Sequence, residues 1–403
     1  YTFLKNRDTA HIDALLRALE KQGLAAAGVV GWPHSTLERV FETPPGDPLK
    51  GMLMFTLALS RPGDKAMLEK QNVHVINLMT TEMSYKEWAA SDRGISAVRM
   101  NSSIINPESA GATDPILVAT TESDAVGNET HTAPIPERVE MAAKRAKRWV
   151  VLSEKSNFYK KLAILYYNNP PGKGNIGASY LNVAPSIRAV LDRLSREGYF
   201  TGNRPLPESK DILDMLERVG RNVEDWAPGE LQKMVDGGSA VLISTKRYHE
   251  WFDKLPEKFR QSVNGRWGPP EKAELMTLKF PDGSRYFVIP GVRFGNIFLG
   301  PQLLRSSFKE YTNVQHSATL PPHHAYIAAY LYYRYQFGAD AVIHMGRHGT
   351  LEWLPGKGAG QAGWDSSEAI LGDLPNAYYY IMDGDGEAVQ ARRRSAADDI
   401  SHL

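Results

Sequence analysis

The residues best suited to chemistry in this sequence cluster between Ala339 and Lys357. His344, Arg347, His348 and Glu352 bring two imidazoles, a guanidinium and a carboxylate into one short stretch. These groups could bind a metal ion, transfer a proton or hold an anionic ligand. A mixed set of this kind in a glycine-containing turn is typical of a functional site.

The neighbouring residues predict how this cluster is held. Ala341–His344 is an apolar run that ends in a polar residue, which predicts a strand with His344 at its carboxyl end. Glycines then permit a tight turn, and Thr350 can cap a short helix that carries the carboxylate. Ligands of open α/β sheets bind beyond the carboxyl ends of the strands. The simpler alternative is that His344 completes the strand with a hydrogen bond and His348 is an ordinary loop residue.

The spacing of the cluster also allows a test for a zinc-protease site. His344, His348 and Glu352 recur every four residues and would share one face of a helix. The glycines and the strand pattern argue against a helix here, and the His-Glu-x-x-His order of zinc proteases is absent. The residues alone still allow a metal-dependent hydrolase built on these three side chains.

A second histidine pair, His323–His324, follows two prolines that predict the start of a helix. Adjacent helical residues point about 100° apart, so these two side chains are poorly placed to bind one metal together. Ordinary core and surface roles are the simpler interpretation. The helix that follows carries aromatic residues on one face, which predicts a core stripe or a wall for a flat aromatic ligand. The stripe consists of Tyr326, Tyr330, Tyr333 and Phe337.

The glycine pattern Gly172-x-Gly174-x-x-Gly177 follows a predicted strand and precedes a predicted helix. That context suits a dinucleotide fingerprint, but prolines precede the turn and no acidic partner ends a following strand. The pattern is also not a Walker A loop. With Lys173, the loop could instead hold a carboxylate or a phosphate through its backbone N–H groups.

Composition excludes several classes of protein. The chain has 403 residues, 47 Lys plus Arg, 46 Asp plus Glu and 42% hydrophobic residues, which is typical of globular domains. The net charge of +1 gives no support to a nucleic-acid partner. The absence of Cys rules out disulfides and thiolate metal sites. The sequence contains no apolar run of about 18 residues, so it predicts no transmembrane segment. The missing initial Met suggests an internal section of a longer polypeptide.

Alternating helical and strand patterns predict a multi-domain α/β fold with parallel-sheet units and an added β-hairpin region. We expect an N-terminal α/β domain over 1–125, a second α/β domain over 136–270 and part of a site-bearing domain over 271–403. The hairpin is predicted around the turn Pro281–Gly283. Five further predictions concern single segments: a strand at Ala26–Val30, a helix at Thr36–Phe41, a linker at Glu122–Pro136, and continuous helices at His249–Val263 and Pro321–Phe337.

Several blocks of this sequence resemble the CobN/magnesium chelatase large-subunit family. The stretch ADAVIHMGRHGTLEWLPGK over Ala339–Lys357 is similar to the family signature, and further blocks occur in the family order. The similarity covers about Trp88 to Leu403. The further blocks are WAASDRGI at Trp88–Ile95, YYNNPPGKGNIGASYL at Tyr166–Leu181, GNIFLGPQ at Gly295–Gln302, HSATLPPHHAY at His316–Tyr326, and LGDLPNAYYY at Leu371–Tyr380.

The resemblance implies a large chelatase subunit that binds a tetrapyrrole and takes part in divalent-metal insertion. AAA+ ATPase partner subunits would use the ATP, with no ATP bound by this chain, in a cytoplasmic assembly. Trp353 and the Leu-Pro-Gly-Lys after it resemble the cobalt branch, which acts in cobalamin biosynthesis, whereas Arg347 stands where many members have Thr. The alternatives are the large (H) subunit of a magnesium-protoporphyrin chelatase, a related protein that removes metal, and a non-enzymatic tetrapyrrole carrier or sensor.

The resemblance also implies roles for individual residues. Glu352 would be the proton acceptor or metal guide, with His344 and His348 as metal-delivery or base groups. Metal insertion needs such groups, because two pyrrole N–H protons must leave while the cation sheds water. Arg347 and Lys357 would pair with carboxylate side chains of the macrocycle. A second set would contact the tetrapyrrole: His323, His324, Tyr326 and Tyr330.

Overall fold

The structure is a computed structural model, and the fold is described for the parts of the chain that it places well. These parts are residues 2–29, 53–55, 63–71, 74–124, 129–168, 171–172, 174–177, 181–223, 227–238, 240–307, 317–346, 350–381 and 385–402. The helix predicted at Thr36–Phe41 therefore lies outside the described residues.

The chain forms two compact units. The first unit contains residues 1–154, 357–363 and 392–397, and the second contains residues 155–356, 364–391 and 398–403. Each unit combines helices with a sheet that contains parallel strands. The predicted α/β class with parallel-sheet units is therefore confirmed, while the domain boundaries at 125, 136 and 270 stay a prediction.

The first unit is built on a four-stranded sheet in the order β1-β2-β3-β4. β1, β2 and β3 run parallel, and β4 is antiparallel to β3. Its strands are β1 Leu53–Phe55, β2 Val75–Thr80, β3 Thr113–Ser123 and β4 Thr130–Pro134. Its helices are α1 Thr2–Lys5, α2 Ala10–Lys21, α3 Asp64–Gln71, α4 Tyr85–Ala90, α5 Ala97–Met100, a π-helical turn Asn101–Ile105, α6 Asn106–Ala110 and α7 Pro136–Glu154.

Helices α2 and α7 bury the apolar face that their sequence periodicity predicts. Leu15 and Leu19 of α2 pack in one hydrophobic cluster with Ile76 of β2, Ile116 of β3 and Val139 of α7. Burial of such side chains stabilises the unit by about 1.5–3 kcal/mol for each fully enclosed residue. The core of this unit therefore lies between the two helices and strands β2 and β3.

Two predictions for the first unit are wrong. Residues 26–29 of the expected strand Ala26–Val30 form no regular structure, and Val30 lies outside the described residues. Alanine and glycine lack the branched side chains that favour strands. The expected linker Glu122–Pro136 contains the end of β3 and all of β4, which pair antiparallel. Threonines in this segment fit a pleated surface, so a polar stretch became a hairpin.

The second unit contains most of the remaining elements. Its helices are a 3₁₀ turn Asn157–Tyr159, α8 Val183–Arg196, α9 Ser209–Val219, α10 Pro228–Asp236, α11 Thr245–Phe252, α12 Glu257–Trp267, a 3₁₀ turn Pro270–Lys272, α13 His324–Leu331, a π-helical turn Tyr332–Phe337, a 3₁₀ turn Leu351–Trp353, α14 Ser366–Leu371 and the first part, 385–391, of α15 Asp385–Ser395. Its strands are β5 Leu162–Tyr166, β6 Ala240–Ser244, β7 Thr277–Lys279, β8 Arg285–Pro290, β9 Val292–Phe294, β10 Ile297–Pro301, β11 Ala341–Met345, β12 Asn376–Ile381 and, from residue 398 on, β13 Ala397–His402.

The main sheet of this unit has the strand order β13-β12-β11-β5-β10-β9. Strands β12, β11, β5 and β10 run parallel, whereas β9 is antiparallel to β10. All five residues of β5 are buried, as expected for a central strand covered on both faces. The parallel arrangement brings the carboxyl ends of four strands to one edge of the sheet.

A second, three-stranded sheet has the order β6-β8-β7 and is antiparallel. β7 and β8 form the hairpin predicted around Pro281–Gly283. The turn is closed by hydrogen bonds from the Phe280 N–H to the Ser284 carbonyl and from the Gly283 N–H to the Phe280 carbonyl, at 2.8 and 2.9 Å. The hairpin prediction is therefore confirmed.

Two predicted helices of the second unit are interrupted. The helix expected at His249–Val263 is divided between α11 and α12, because Pro256 lies between them and disfavours helical backbone before it. The helix expected at Pro321–Phe337 begins only at His324 and continues as a π-helical turn. The strands β9, β10 and β13 were not predicted, since their short runs lack a clear alternating pattern.

Arg334 closes the carboxyl end of α14. Its Nη1 donates hydrogen bonds to the Ala369 and Ile370 carbonyls, at 3.2 and 3.1 Å. These are among the carbonyls that a helix end leaves without intrahelical partners. Gly372 follows at φ 63°, and a Cβ there would overlap the Arg334 guanidinium. A side chain at position 372 is therefore excluded both by backbone strain and by this cap.

We predict that Gly372→Ala lowers the free energy of unfolding by about 1–3 kcal/mol, through the positive φ and the displaced guanidinium. Urea denaturation measures the change. Gly265→Ala is the matched control, because Gly265 lies in α12 with open space at its Cβ position. That substitution should stabilise the chain by up to about 1 kcal/mol. Equal effects of the two substitutions would contradict the prediction.

Candidate functional site

Strand β11 carries the first residue of the candidate site. His344 is the fourth of its five residues and is 1% exposed, next to β5 on one side and β12 on the other. Leu165 of β5 and Tyr378 of β12 are its partners in the two parallel pairs. The predicted position of His344 near the carboxyl end of a strand is therefore confirmed.

Two further polar side chains follow the carboxyl ends of neighbouring strands. Asn168 comes two residues after β5, and Gln302 directly follows β10. Asn222 links them, because its Nδ2 donates to the Asn168 and Gln302 carbonyls at 3.0 and 2.9 Å and its N–H donates to Asn168 Oδ1 at 2.7 Å. Asn168 Nδ2 in turn donates to the Gly172 and Asn175 carbonyls, at 3.2 and 3.1 Å. Amide groups thus tie the strand ends to the glycine-containing loop.

The imidazole of His344 lies against two tyrosine rings. Tyr378 stacks on it with centroids 5.2 Å apart and an angle of 19° between the planes, and Tyr330 lies at 6.4 Å and 26°. Burial lowers the pKa of His344 to about 3, so the ring is neutral at pH 7.

The hydroxyl of Tyr330 assigns the tautomer of this histidine. It donates to Gln302 Oε1 at 2.8 Å and lies 3.5 Å from His344 Nε2. Since the hydroxyl proton is used by Gln302, the hydroxyl oxygen is available as an acceptor for an Nε2–H group. Nδ1 then keeps its lone pair, and among the described residues it has no hydrogen-bond partner. That lone pair could take a proton or bind a metal ion.

Glu352 supplies the carboxylate of the site from the 3₁₀ turn Leu351–Trp353 and is 0% exposed. The Tyr378 hydroxyl donates to its Oε1 at 3.2 Å. Burial raises the pKa of Glu352 to about 7, helped by the negative charges of Glu387 and Asp399 and opposed by the Tyr378 hydrogen bond. A carboxyl group with this pKa can both accept and release a proton near neutral pH.

The predicted cap at Thr350 takes a different form. Its side chain makes no capping hydrogen bond, and its hydroxyl donates instead to the Tyr326 hydroxyl oxygen at 3.1 Å. Tyr326 and Tyr330 are fully buried in α13, with ring centroids 5.2 Å apart, and burial raises the pKa of both. The structure thus places these two predicted binding residues in the core beside His344 and Thr350.

The histidine pair at the start of α13 is well ordered by its neighbours. His323 is the N-cap, and its Nδ1 accepts from the Ala325 N–H at 3.3 Å. His324 Nε2 lies 2.9 Å from the Gly268 carbonyl, so it carries the proton, and Nδ1 accepts from the Tyr248 hydroxyl at 2.9 Å. Burial lowers the pKa of His323 to about 3 and that of His324 to about 4. Both rings have structural partners, and their predicted binding roles stay predictions.

Lys357 belongs to the first unit, within residues 357–363. It is buried, with Nζ 5.5 Å from the centre of the Trp88 ring and 3.5 Å from the Ala89 carbonyl. The same segment accepts a hydrogen bond from Trp88 Nε1 at the Gly360 carbonyl, at 2.9 Å. The block around Trp88 and the end of the signature are thus joined within this unit.

Arg347 and His348 lie outside the described residues, so the predicted metal set His344, His348 and Glu352 stays a prediction. Within the parts of the chain that the structure describes, no three His, Asp or Glu side chains are grouped closely enough to hold a metal ion. In the same parts, no helix is long and apolar enough to cross a membrane.

Sequence reasoning missed Tyr378 and Gln302. Both lie in blocks that resemble the family, but neither residue type signals chemistry by itself. Tyr378 becomes a site residue only because the β11–β12 register places it opposite His344, and Gln302 only because β10 ends beside β5. The signal that could have found them is that each lies in, or directly after, a strand of the parallel sheet that carries His344.

Comparison with known proteins relates the whole chain to one family. A family model described as CobN/Magnesium Chelatase matches residues 1–403. The aerobic cobaltochelatase subunit CobN of Sinorhizobium sp. is 31% identical over 99% of this chain and 31% of its own length. The chloroplastic magnesium-chelatase subunit ChlH of Oryza sativa subsp. indica is 29% identical over 98% of this chain and 28% of its own length.

A solved structure extends this similarity to three dimensions. The catalytic subunit of cobaltochelatase from Mycobacterium tuberculosis superimposes with a TM-score of 0.78 at 28% identity, over 98% of this chain and 34% of that one. The chain therefore spans about a third of the length of these relatives.

We predict that Glu352→Gln makes the stability of the chain less sensitive to pH. The folded pKa of Glu352, about 7, lies above its ordinary value of 4.5. Its contribution to stability is therefore complete below pH 4.5 and is lost as the pH rises to about 7. Glutamine stays neutral throughout, so the variant should gain up to about 3 kcal/mol relative to the parent between pH 4.5 and pH 8.

Urea denaturation of both proteins at pH 4.5 and pH 8 measures this difference. Glu250→Gln, on the exposed face of α11, is the matched control and should follow the parent at both pH values. A constant difference between Glu352→Gln and the parent would contradict the raised pKa.

Proposed function

This chain belongs to the CobN/magnesium chelatase family, and we propose that it forms part of the large, tetrapyrrole-binding subunit of an ATP-dependent chelatase. The reaction that we propose is insertion of a divalent metal into a corrin-precursor macrocycle, with cobalt as the metal. Its relatives include the cobaltochelatase subunit CobN and the magnesium-chelatase subunit ChlH. Trp353 and the Leu-Pro-Gly-Lys sequence after it support the cobalt branch.

The observation that carries the proposal is the pairing of Glu352 and His344 around Tyr378. Both groups are buried, and each has a pKa shifted towards its neutral form. They lie within the family signature, close to the carboxyl edge of a parallel sheet, where ligands of such folds bind. Metal insertion needs a group that accepts protons and a group that can hold the cation. Glu352 would supply the first, and the imidazole lone pair of His344 would supply the second.

The proposed reaction can be written with its protons balanced. The macrocycle loses two pyrrole N–H protons and gains one divalent cation, so two protons must be accepted as the metal–nitrogen bonds form. Glu352, with a pKa of about 7, would accept one of them as a carboxylate. The Nδ1 lone pair of His344, which stays unprotonated near pH 7, would hold the incoming cation, and the second proton would pass to water.

Other residues have proposed roles in the same reaction. His348 would share the cation with His344 and Glu352, and Arg347 and Lys357 would bind carboxylates on the macrocycle. The chain has no Cys, so any metal handling by it must use imidazole and carboxylate, which suit a transiently held divalent ion. The ATP would be used by AAA+ partner subunits in a cytoplasmic assembly.

A magnesium chelatase is the second candidate, because the magnesium-chelatase subunit ChlH is 29% identical over 98% of the chain. The same groups could serve it, since a carboxylate is a good ligand for either cation. Removal of metal would use the same residues in reverse, with Glu352 returning a proton to the macrocycle.

We predict that Glu352→Gln in the complete protein abolishes metal insertion but leaves tetrapyrrole binding within about twofold. Glutamine matches the carboxyl group in shape and cannot accept the pyrrole proton, so the rate should fall by at least about 100-fold. Binding is measured from the shift of the Soret band of deuteroporphyrin IX, and insertion from the spectrum of the metallated product formed with Co²⁺ or Mg²⁺, ATP and the AAA+ partners.

Glu250→Gln is again the matched control and should bind and insert at the parent rate. Retained insertion in Glu352→Gln would show that the role of Glu352 is wrong. Tetrapyrrole binding without insertion by the parent protein would favour a carrier or sensor, and no spectral shift with either deuteroporphyrin IX or a metal-free corrin precursor would favour the metal-dependent hydrolase.

A further inference from the structure

Tyr378 contacts both His344 and Glu352. It lies in the middle of β12, directly opposite His344 in the parallel β11–β12 pair, and its side chain is fully buried. Its ring stacks on the imidazole at 5.2 Å, and its hydroxyl donates to Glu352 Oε1 at 3.2 Å. One side chain therefore touches both groups that the proposed reaction needs.

These two contacts constrain different degrees of freedom. The stack fixes the plane of the imidazole, and hence the direction of the Nδ1 lone pair. The hydroxyl donates to Oε1 of the Glu352 carboxylate, which extends from a short 3₁₀ turn, and so limits the rotation of that group. Catalytic groups must be held within about 0.5 Å of their productive positions, so such support affects the rate directly.

We propose that Tyr378 is a positioning residue for the proposed metal-insertion reaction, orienting the Glu352 carboxylate through its hydroxyl and the His344 imidazole through its aromatic ring. This role rests on the proposed function. In this role Tyr378 acts through Glu352 and His344, so its loss should lower the turnover rate without weakening tetrapyrrole binding. Removal of a supporting contact of this kind typically costs about 10–100-fold.

The hydroxyl can be tested separately from the ring. In the complete protein with its AAA+ partners and ATP, Tyr378→Phe keeps the stack and removes the hydrogen bond to Glu352. We expect deuteroporphyrin IX to bind within about twofold of the parent, and kcat for Co²⁺ insertion to fall by about 10–100-fold. Tyr379→Phe is the matched control, because successive strand residues point to opposite faces of the sheet, and it should retain the parent rate.

A second measurement distinguishes positioning from general damage to the fold. Incorporation of 3-fluorotyrosine at position 378 keeps both ring and hydroxyl and should restore the rate to within a few-fold of the parent. If Tyr378→Phe does not fold, 3-fluorotyrosine is compared at this position with 3,5-difluorotyrosine and 2,3,5-trifluorotyrosine, which make the hydroxyl progressively more acidic at nearly constant volume. We expect kcat to change stepwise with the number of fluorine atoms while porphyrin binding stays constant, and the same kcat in all three variants would overturn the proposal.

The outcomes also separate this inference from the proposed function. Parent-like turnover in Tyr378→Phe, together with an inactive Glu352→Gln, rejects the positioning role and keeps the chelatase proposal. Full activity in Glu352→Gln rejects both. A loss of porphyrin binding in Tyr378→Phe equal to the loss of turnover shows a purely structural role and overturns the inference.

Discussion

The cost of burying ionisable groups is the interaction on which this site depends. Glu352 and His344 are almost completely enclosed, and water can compensate neither a carboxylate nor an imidazolium there. Burial therefore raises the pKa of the carboxyl group to about 7 and lowers that of the imidazole to about 3. The two pKa values move in opposite directions, but each shift favours the neutral form of its group. The result is a carboxyl group that can exchange its proton near pH 7, beside an imidazole that stays neutral at that pH.

The rest of the second unit provides the enclosure. Four parallel strands end at one edge, and the amides of Asn168 and Asn222 join the segments that follow β5 and β10 by hydrogen bonds to backbone carbonyls. Polar groups that would otherwise be costly to bury are satisfied in this way. Asp340, at the other end of β11, is a carboxylate in a different environment from Glu352. It forms an ion pair with Lys155 and accepts a hydrogen bond from the Lys161 N–H. That carboxylate is held in place as a charged group and anchors the strand start.

The sequence predicted the strand that carries His344 better than the contacts between that strand and its neighbours. The strand that carries His344 and the α/β class were found because an apolar run followed by glycines is a local pattern. The contact of Tyr378 with both groups was not found, because it depends on strand register, which is a property of the folded sheet. For the same reason β4 was taken as a linker, since its strand character becomes evident only when β3 pairs with it. The π-helical turn after α13 likewise has no simple sequence pattern, although the aromatic stripe that it extends was correctly identified.

Under the proposed function, the same burial also sets the order of events. Before a cation arrives, a neutral carboxyl group at Glu352 is the less costly state in a dry site. A divalent cation reverses this balance, because a nearby positive charge stabilises the carboxylate and lowers its pKa. Arrival of the metal would therefore release the Glu352 proton to water and leave a carboxylate that can hold the cation or accept a pyrrole proton. A carboxylate that already forms an ion pair with a lysine, as Asp340 does, has little proton to release when a cation arrives. Coupling of metal arrival to proton movement therefore depends on the buried position of Glu352.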